Sequence, residues 1–400
     1  MFRRKLYTNI AAHVAAKEFT ILIGARQTGK STLLRQLAEE LKSAQQTSVF
    51  INLERKDILM ELSQSPENIF KYCPLKNGEK VIVLMDEIQY LDDPTNFIKL
   101  LYDEYADRLK IIATGSSAFY IDRQFNDSLA GRKKIFELQT LDFEEFMQFK
   151  EQDVLVSELL NLRQKSIQKS VYENQLWVMM DEYVNYGGYP AVVLETDLTA
   201  KIERLQDLRD SFVKRDILEA GITDETKFYR LMMVLASQSG NLLNVNELSS
   251  TLRMPNAVVD NYLFVLQKCF HITLVKPFFQ NIRKELTKMP KIYFNDLGLR
   301  NVLINYFSPI EQRTDKGALL ENLVFRRQIE LNNKDQVKFW HTADGQEVDF
   351  IIEKSFNNGE AIEVKFSETE AKPNKYMKFT TTYPTFPLRF LSWRQDDLLM

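Results

Sequence analysis

The segment Gly24-Ala25-Arg26-Gln27-Thr28-Gly29-Lys30-Ser31 places two glycines with four residues between them and follows the second with a lysine and a hydroxyl. This is the pattern GxxxxGK[ST], a loop whose glycines let the backbone curl until its N–H groups point inward at an anion. The apolar run 18–24 (EFTILIG) precedes it and the amphipathic run 31–41 (STLLRQLAEEL) follows, so the loop joins a strand to a helix. The helix N-terminus adds its positive dipole. In such a cradle Lys30 reaches the β- and γ-phosphates, the Ser31 hydroxyl ligates Mg2+, and Thr32 lies in the next turn. Gly24 through Thr32 are therefore candidate contacts of a nucleoside triphosphate, with ATP and Mg2+ as the implied cofactors.

A carboxylate pair supplies the other half of that chemistry. The apolar strand Val81–Met85 runs into Asp86-Glu87. Asp86 there would hold Mg2+ through water, and Glu87 would polarise the water for in-line attack. Alone, an acidic pair ending a strand is more often an exposed terminus; beside the cradle it is the expected partner. The next strand ends Ala113-Thr114-Gly115-Ser116-Ser117, which puts hydroxyls at the C-terminal sheet edge where ligands bind. Thr114 or Ser116 could orient the water, and the same hydroxyls could equally cap the following helix.

A second acidic constellation lies near the end of the chain. Strand alternation in QEVDFIIEK puts Glu347 and Asp349 on one face with Val348 and Phe350 opposite. In AIEVKF, Glu363 and Lys365 share a face while Ile362, Val364 and Phe366 take the other. If the two strands pair, Asp349, Glu363 and Lys365 converge, and Glu321 in the preceding helical segment (GALLEN) could complete the acidic set. Two carboxylates beside a lysine can hold Mg2+, which activates water while the lysine positions it. The competing reading is a solvated face of an amphipathic hairpin.

The elements that would position these groups change along the chain. Residues 1–145 alternate continuous apolar strands (48–54, 81–86, 109–115, 133–138) with helical segments such as 96–108, the pattern of a parallel sheet covered on both faces. Residues 146–220 read as all-helical, a lid, with one helix stopping at the turn Gly187-Gly188-Tyr189-Pro190. Residues 221–305 give three helical segments and a strand, the order of a winged helix-turn-helix, although other three-helix packings fit the spacing as well. Residues 306–400 return to helix and strands as a closing α/β unit. The fold class is α/β.

Several of these segments carry a resemblance. GARQTGKST, LMDEIQ, TGSSA, LAGR (129–132), YGGYP (186–190) and the closing EVDF/EVK pair resemble a family of prokaryotic AAA+-type P-loop ATPases with a C-terminal restriction-endonuclease-like domain. The resemblance implies a five-stranded AAA+-type sheet, a helical lid and a winged helix. It also implies that Arg132 sits near nucleotide as an arginine finger or sensor, within the chain or toward a neighbouring copy; Arg132 could equally face solvent beside Lys133 and Lys134. The D-x(n)-E-x-K order of Asp349, Glu363 and Lys365 is similar to the PD-(D/E)XK nuclease signature, with Val348 where the fullest form has proline.

Composition limits the partners. With 52 basic against 55 acidic residues the formal charge is −3, so no global field recruits nucleic acid and any such binding needs a local patch. Between Asn244 and Arg300 eight Lys/Arg stand against four acids, with Arg283, Lys284, Lys288 and Lys291 where a wing would meet the phosphates of DNA or RNA. Two cysteines exclude a disulfide framework or a cysteine-built zinc site. No apolar run reaches the length of a membrane span, so a cytoplasmic protein without membrane contact, free to oligomerise, is expected. The leading expectation is an ATPase whose C-terminal domain binds or cuts nucleic acid. The alternative is an ATP-dependent switch whose nuclease-like domain is an inert binding module.

Overall fold

Runs with almost no polar residue suit strands that are covered on both faces. The computed structural model describes residues 2–75, 79–115, 129–167, 169–279, 285, 288–342 and 344–399. In it such runs become the fully buried β1 (Phe19–Ile23), β3 (Val81–Asp86) and β4 (Leu109–Gly115), with the less buried β2 (Ser48–Asn52) and β5 (Lys133–Glu137) at the edges. All pair in parallel, in the order β2-β3-β4-β1-β5. Helices α1 (Leu6–Ala12), α2 (Lys30–Ser43), α3 (Lys56–Gln64) and α4 (Pro94–Tyr105) accompany them.

The period-2 alternation of each central strand feeds two cores. Phe19, Ile21, Val83, Met85 and Ile111 pack with Ile58 and Leu62 of α3 and Phe97 and Leu101 of α4. Leu22, Ile82, Leu84 and Ile112 pack instead with Leu33, Leu34, Leu37 and Leu41, one face of α2. The loop between β1 and α2 therefore leaves the C-terminal edge of a sheet held rigidly from both sides.

The chain divides into two compact units, Met1–Thr140 with Lys268–Phe270, and Leu141–Gln267 with His271–Met400. The second unit opens with α5 (Phe143–Phe149), α6 (Asp153–Arg163), α7 (Glu173–Tyr186), α8 (Pro190–Val193), α9 (Leu198–Glu219), α10 (Glu225–Ser237), α11 (Val245–Leu252) and α12 (Asn256–Lys268). An antiparallel pair follows, β6 (Ile272–Val275) with β7 (Lys291–Phe294), then α13 (Leu297–Leu303) and α14 (Lys316–Leu331). The chain closes with β8 (Val337–His341), β9 (Glu347–Ser355), β10 (Asn358–Lys365), α15 (Met377–Thr382) and β11 (Leu388–Ser392).

The segments read from sequence as three bodies (146–220, 221–305 and 306–400) share this one unit and one hydrophobic cluster. It includes Leu141, Trp177 of α7, Tyr293 of β7, Phe325 of α14, Phe350 of β9 and Leu399. Trp177 meets Trp393 at 5.2 Å between ring centroids, a contact between segments more than 200 residues apart in sequence. The apolar faces of these helices are spent on one another's segments, which composition along the chain does not reveal.

The last sheet has the order β11-β10-β9-β8 and is mixed: β8/β9 and β9/β10 are antiparallel, β10/β11 parallel. Simple alternation expected Val348 and Phe350 on one face. The β8/β9 register shifts between Lys338 and Trp340, so Val348 joins one apolar cluster and Phe350 another. A local irregularity of this kind re-aims the residue between them, here Asp349.

Candidate functional site

The cradle is built from backbone first. Gly24 has φ +150°, Gln27 φ +59° and Gly29 φ +96°, which curls the chain between β1 and α2. Gly24 is also required for space, since a Cβ there would lie 2.2 Å from the Leu138 carbonyl oxygen. Thr28 is fully buried and its Oγ1 donates to the Ala25 carbonyl at 2.9 Å, pinning the loop across itself. Lys30 is buried, and its Nζ donates to the carbonyls of Gly24 (2.9 Å) and Ala25 (2.7 Å), which keeps the ammonium inside the loop. Ala25 and Arg26 are buried in the same turn, Gln27 and Thr32 exposed.

The carboxylate edge of β3 meets this loop. Ser31 Oγ donates to Asp86 Oδ1 at 3.0 Å, and Thr114 Oγ1, at the end of β4, donates to the same oxygen at 2.5 Å. Thr114 Oγ1 in turn accepts from Glu87 N at 3.0 Å. That bond supports Glu87 in the left-handed region at φ +62°, where a non-glycine residue costs about 1–2 kcal/mol. The Glu87 carboxylate accepts from Gln89 Nε2. Ser31, Asp86, Glu87 and Thr114 thus form one connected network. Ser116, the alternative hydroxyl, lies outside the described residues.

Arg132 is elsewhere. It donates Nε and Nη2 to Asp103 Oδ1 and Oδ2 at 2.6 and 3.1 Å, and its carbonyl accepts from Phe19 N at the start of β1. The cradle leaves the opposite end of that strand, about 15 Å away at ~3.3 Å per residue. Within a single chain, the position near nucleotide implied for Arg132 is not the one it occupies.

One participant had no motif to announce it. Arg4, ahead of α1, is buried and donates to the carbonyls of Thr28 (2.7 Å) and Gln139 (2.8 Å). It clamps the loop to the segment that leaves β5.

The second constellation belongs to the other unit. Strands β9 and β10 pair, and Val364 N donates to Asp349 Oδ2 at 2.9 Å while Asp349 N approaches Glu363 Oε2 at 3.4 Å. Glu363 Oε1 accepts from Lys365 Nζ and, at 2.6 Å, from Tyr376 Oη. Glu321, on α14, accepts from Tyr293 Oη at 2.5 Å. The structure thus brings Asp349, Glu363, Lys365 and Glu321 into one neighbourhood.

It also brings a residue that sequence counting had put on the surface. Lys291, grouped above with a basic wing patch, is only 2% exposed. Its Nζ contacts Glu321 Oε1 at 2.9 Å, Asp349 Oδ1 at 3.4 Å and an oxygen of Glu347. It is therefore withdrawn from any phosphate-binding surface. Lys288 is exposed, and Arg283 and Lys284 lie outside the described residues.

Among the described residues, no group of three or more His, Cys, Asp or Glu side chains has the arrangement of a metal site. Burial, then the charge of Asp349, pushes the Glu321 and Glu363 carboxyls up to about 7. Burial opposes charge on Lys291, but Glu321, Tyr293, Asp349 and Glu347 outweigh it and hold the ammonium well above its ordinary value.

Residues 16–147 match the AAA domain family, 179–309 a domain of unknown function (DUF8612), and 316–390 another (DUF4143). An uncharacterized protein of Methanocaldococcus jannaschii is 25% identical over 381 residues, 92% of this chain and 79% of the relative. One from Haemophilus influenzae is 27% identical over 345 residues, 84% of this chain and 79% of the relative. Among solved structures, C. elegans PCH-2 is 14% identical with TM-score 0.34, and the similarity covers 53% of this chain and 63% of that one. AMPPCP-bound DnaA from Aquifex aeolicus is 12% identical with TM-score 0.30, covering 67% and 89%. No helix among the described residues is long and apolar enough to cross a membrane. The AAA-domain match lies over the cradle and the parallel sheet that carries it.

Proposed function

We propose that the chain binds ATP with Mg2+ in the Gly24–Thr32 loop and hydrolyses it. The observation that carries this reading is Ser31 Oγ on Asp86 Oδ1 at 3.0 Å, the hydroxyl and the carboxylate meeting at the mouth of a loop that already holds the Lys30 ammonium. Those oxygens suit a hard cation. Bound there, Mg2+ would neutralise charge on the phosphates and hold them in line with the attacking water. The residues do the rest. Loop N–H groups and Lys30 bind phosphate oxygens, Ser31 and Asp86 hold the cation, and Glu87, aimed by Thr114, orients the water and takes its proton.

The test is Lys30→Ala, which removes the inward cation opposite the β- and γ-phosphates. ATP binding should be largely lost. Hydrolysis by this variant at the wild-type rate would mean that the site is misassigned.

For the second unit, the convergence of Asp349, Glu363 and Lys365 favours a PD-(D/E)XK-like sheet acting on nucleic acid, with ATP hydrolysis controlling it. Helices α10–α12 followed by the β6/β7 pair support a winged helix as its DNA- or RNA-contacting part. Metal-dependent cleavage of single- or double-stranded DNA or RNA, assayed with and without ATP, separates this from an inert binding module in an ATP-driven switch.

A further inference from the structure

Three carboxylates from two elements converge on one point: Glu321 from α14, and Glu347 and Asp349 from β9. Carboxylate oxygens are the ligands a divalent ion takes, at ~2.0–2.6 Å, but as arranged around Lys291 these side chains form no metal site. The point is held instead by the ammonium of Lys291, and the Phe339 ring covers another side of it, 5.6 Å from Nζ to centroid. We propose that Lys291 is a tethered cation that closes this acidic cluster to divalent metal, so that the C-terminal sheet can take up a metal ion only when β7 withdraws its lysine. The proposal rests on the nuclease-like reading of the cluster given above.

Charge supports the assignment. Glu321, Glu347, Asp349 and Glu363 supply four carboxylates, while Lys291 and Lys365 supply two ammoniums. The two lysines divide the cluster: Lys365 is bonded to Glu363, and Lys291 takes the other three. A lysine this deeply buried is tolerated only with such partners, and acids this close need a cation among them or a proton on one of them. A metal ion bound by Glu321, Glu347 and Asp349 would occupy the place of the Lys291 ammonium.

The connectivity suits a removable plug. Asp349 is held by Val364 N, and Glu363 by Lys365 and Tyr376, none of which involves Lys291. Lys291 comes from a separate two-stranded element, as the first residue of β7, where it pairs with Val275 and bridges to Leu242. A local shift at the first residue of β7 would remove the ammonium while Tyr293, further along the strand, keeps its bond to Glu321 and the other acids stay on β9 and β10.

The test is a calorimetric Mn2+ titration of the full chain without nucleotide, in which the site is counted as the binding that Asp349→Asn abolishes. Wild type should show no saturable binding of that kind below about 1 mM, while Lys291→Gln should gain one site roughly 100-fold tighter, the scale of uncovering a buried ion pair. Equal Asp349-dependent affinity in wild type and Lys291→Gln would overturn the plug and leave the metal-site reading standing. A folded Lys291→Gln that binds no Mn2+ would overturn both, since nothing would then be excluded. If circular dichroism shows Lys291→Gln unfolded, Lys291→Gln/Glu347→Gln restores the charge balance, keeps Glu321, Asp349 and Glu363, and is read by the same outcomes.

Discussion

Thr114→Val isolates the role of one buried hydroxyl. Thr114 is fully buried, donates to Asp86 Oδ1 at 2.5 Å and supports Glu87 N at 3.0 Å. Valine nearly preserves its shape and deletes both bonds. A hydrogen bond to a charged group is worth about 1.5–3 kcal/mol, and the orphaned Glu87 N–H adds about 1 kcal/mol, so urea unfolding should show a loss of about 3 kcal/mol. Without its acceptor, Glu87 can relax from φ +62°, and its carboxylate would leave the position proposed for orienting the water. A displacement of 1.4–2.8 kcal/mol in the barrier corresponds to about a 10- to 100-fold fall in kcat. Affinity for a fluorescent ATP analogue should change less than about threefold, because the loop and Lys30 are untouched. Thr114→Ser, which keeps the hydroxyl, should recover most of the rate. A Thr114→Val protein with wild-type stability and phosphate release within about twofold of wild type would refute the argument.

Glu87→Gln should bind ATP and hydrolyse it slowly, whereas Asp86→Asn should also weaken the Mg2+ dependence; equal loss of nucleotide affinity in both would contradict the division of roles. Arg4→Met should loosen the cradle from outside the motif, raising the KM for ATP several-fold and lowering stability by about 2 kcal/mol, read by steady-state kinetics and urea unfolding. Asp315 is bonded by Arg313 and Arg300; burial would raise its carboxyl, but the two guanidiniums outweigh this and hold it at about 2. A depressed folded value stabilises above the unfolded pKa of about 4 and is lost as pH falls toward 2, so Asp315→Asn should cost about 1–2 kcal/mol at pH 7 and much less at pH 2.5. Urea unfolding at the two pH values checks the sign.

The cradle was legible because its chemistry is local: eight consecutive residues, a strand before and a helix after. Asp86 and Thr114 were legible at one remove, as polar ends of apolar strands in a parallel sheet whose C-terminal edges coincide. Arg4 was not, since a lone arginine near the start of a chain carries no pattern, and its partners are backbone carbonyls that any sequence provides. Lys291 misled for a physical reason. Summing charge along a segment treats every lysine as solvated, and the better signal was its place at the head of the apolar strand KIYF, directly after Pro290. Arg132 was read with alternatives open, and the strand it borders bears only on the one within its own chain, because that strand sets which edge of the sheet it can reach. The boundaries within 141–400 were hidden because shared cores are made by faces, and faces are not ordered by position in the chain.

The glycines of this chain impose two different kinds of intolerance to substitution. At Gly29 nothing lies within 4 Å of an added Cβ and only φ +96° is demanding, so alanine there strains one residue and leaves its surroundings in place. At Gly188 and Gly298 the added carbon would sit 2.2 Å from Leu141 O and 2.1 Å from Tyr186 O, backbone atoms that cannot rotate aside. Gly188 N also donates to Asp296 Oδ2 at 2.9 Å, while Leu141 N donates to the Gly188 carbonyl at 2.8 Å, so three stretches of chain are cross-braced at this point. In a saturation library, position 29 should grade with the left-handed preference of the substituent, asparagine faring better than valine. Positions 188 and 298 should reject every side chain alike, marking a seam where the second unit has no neutral path of drift.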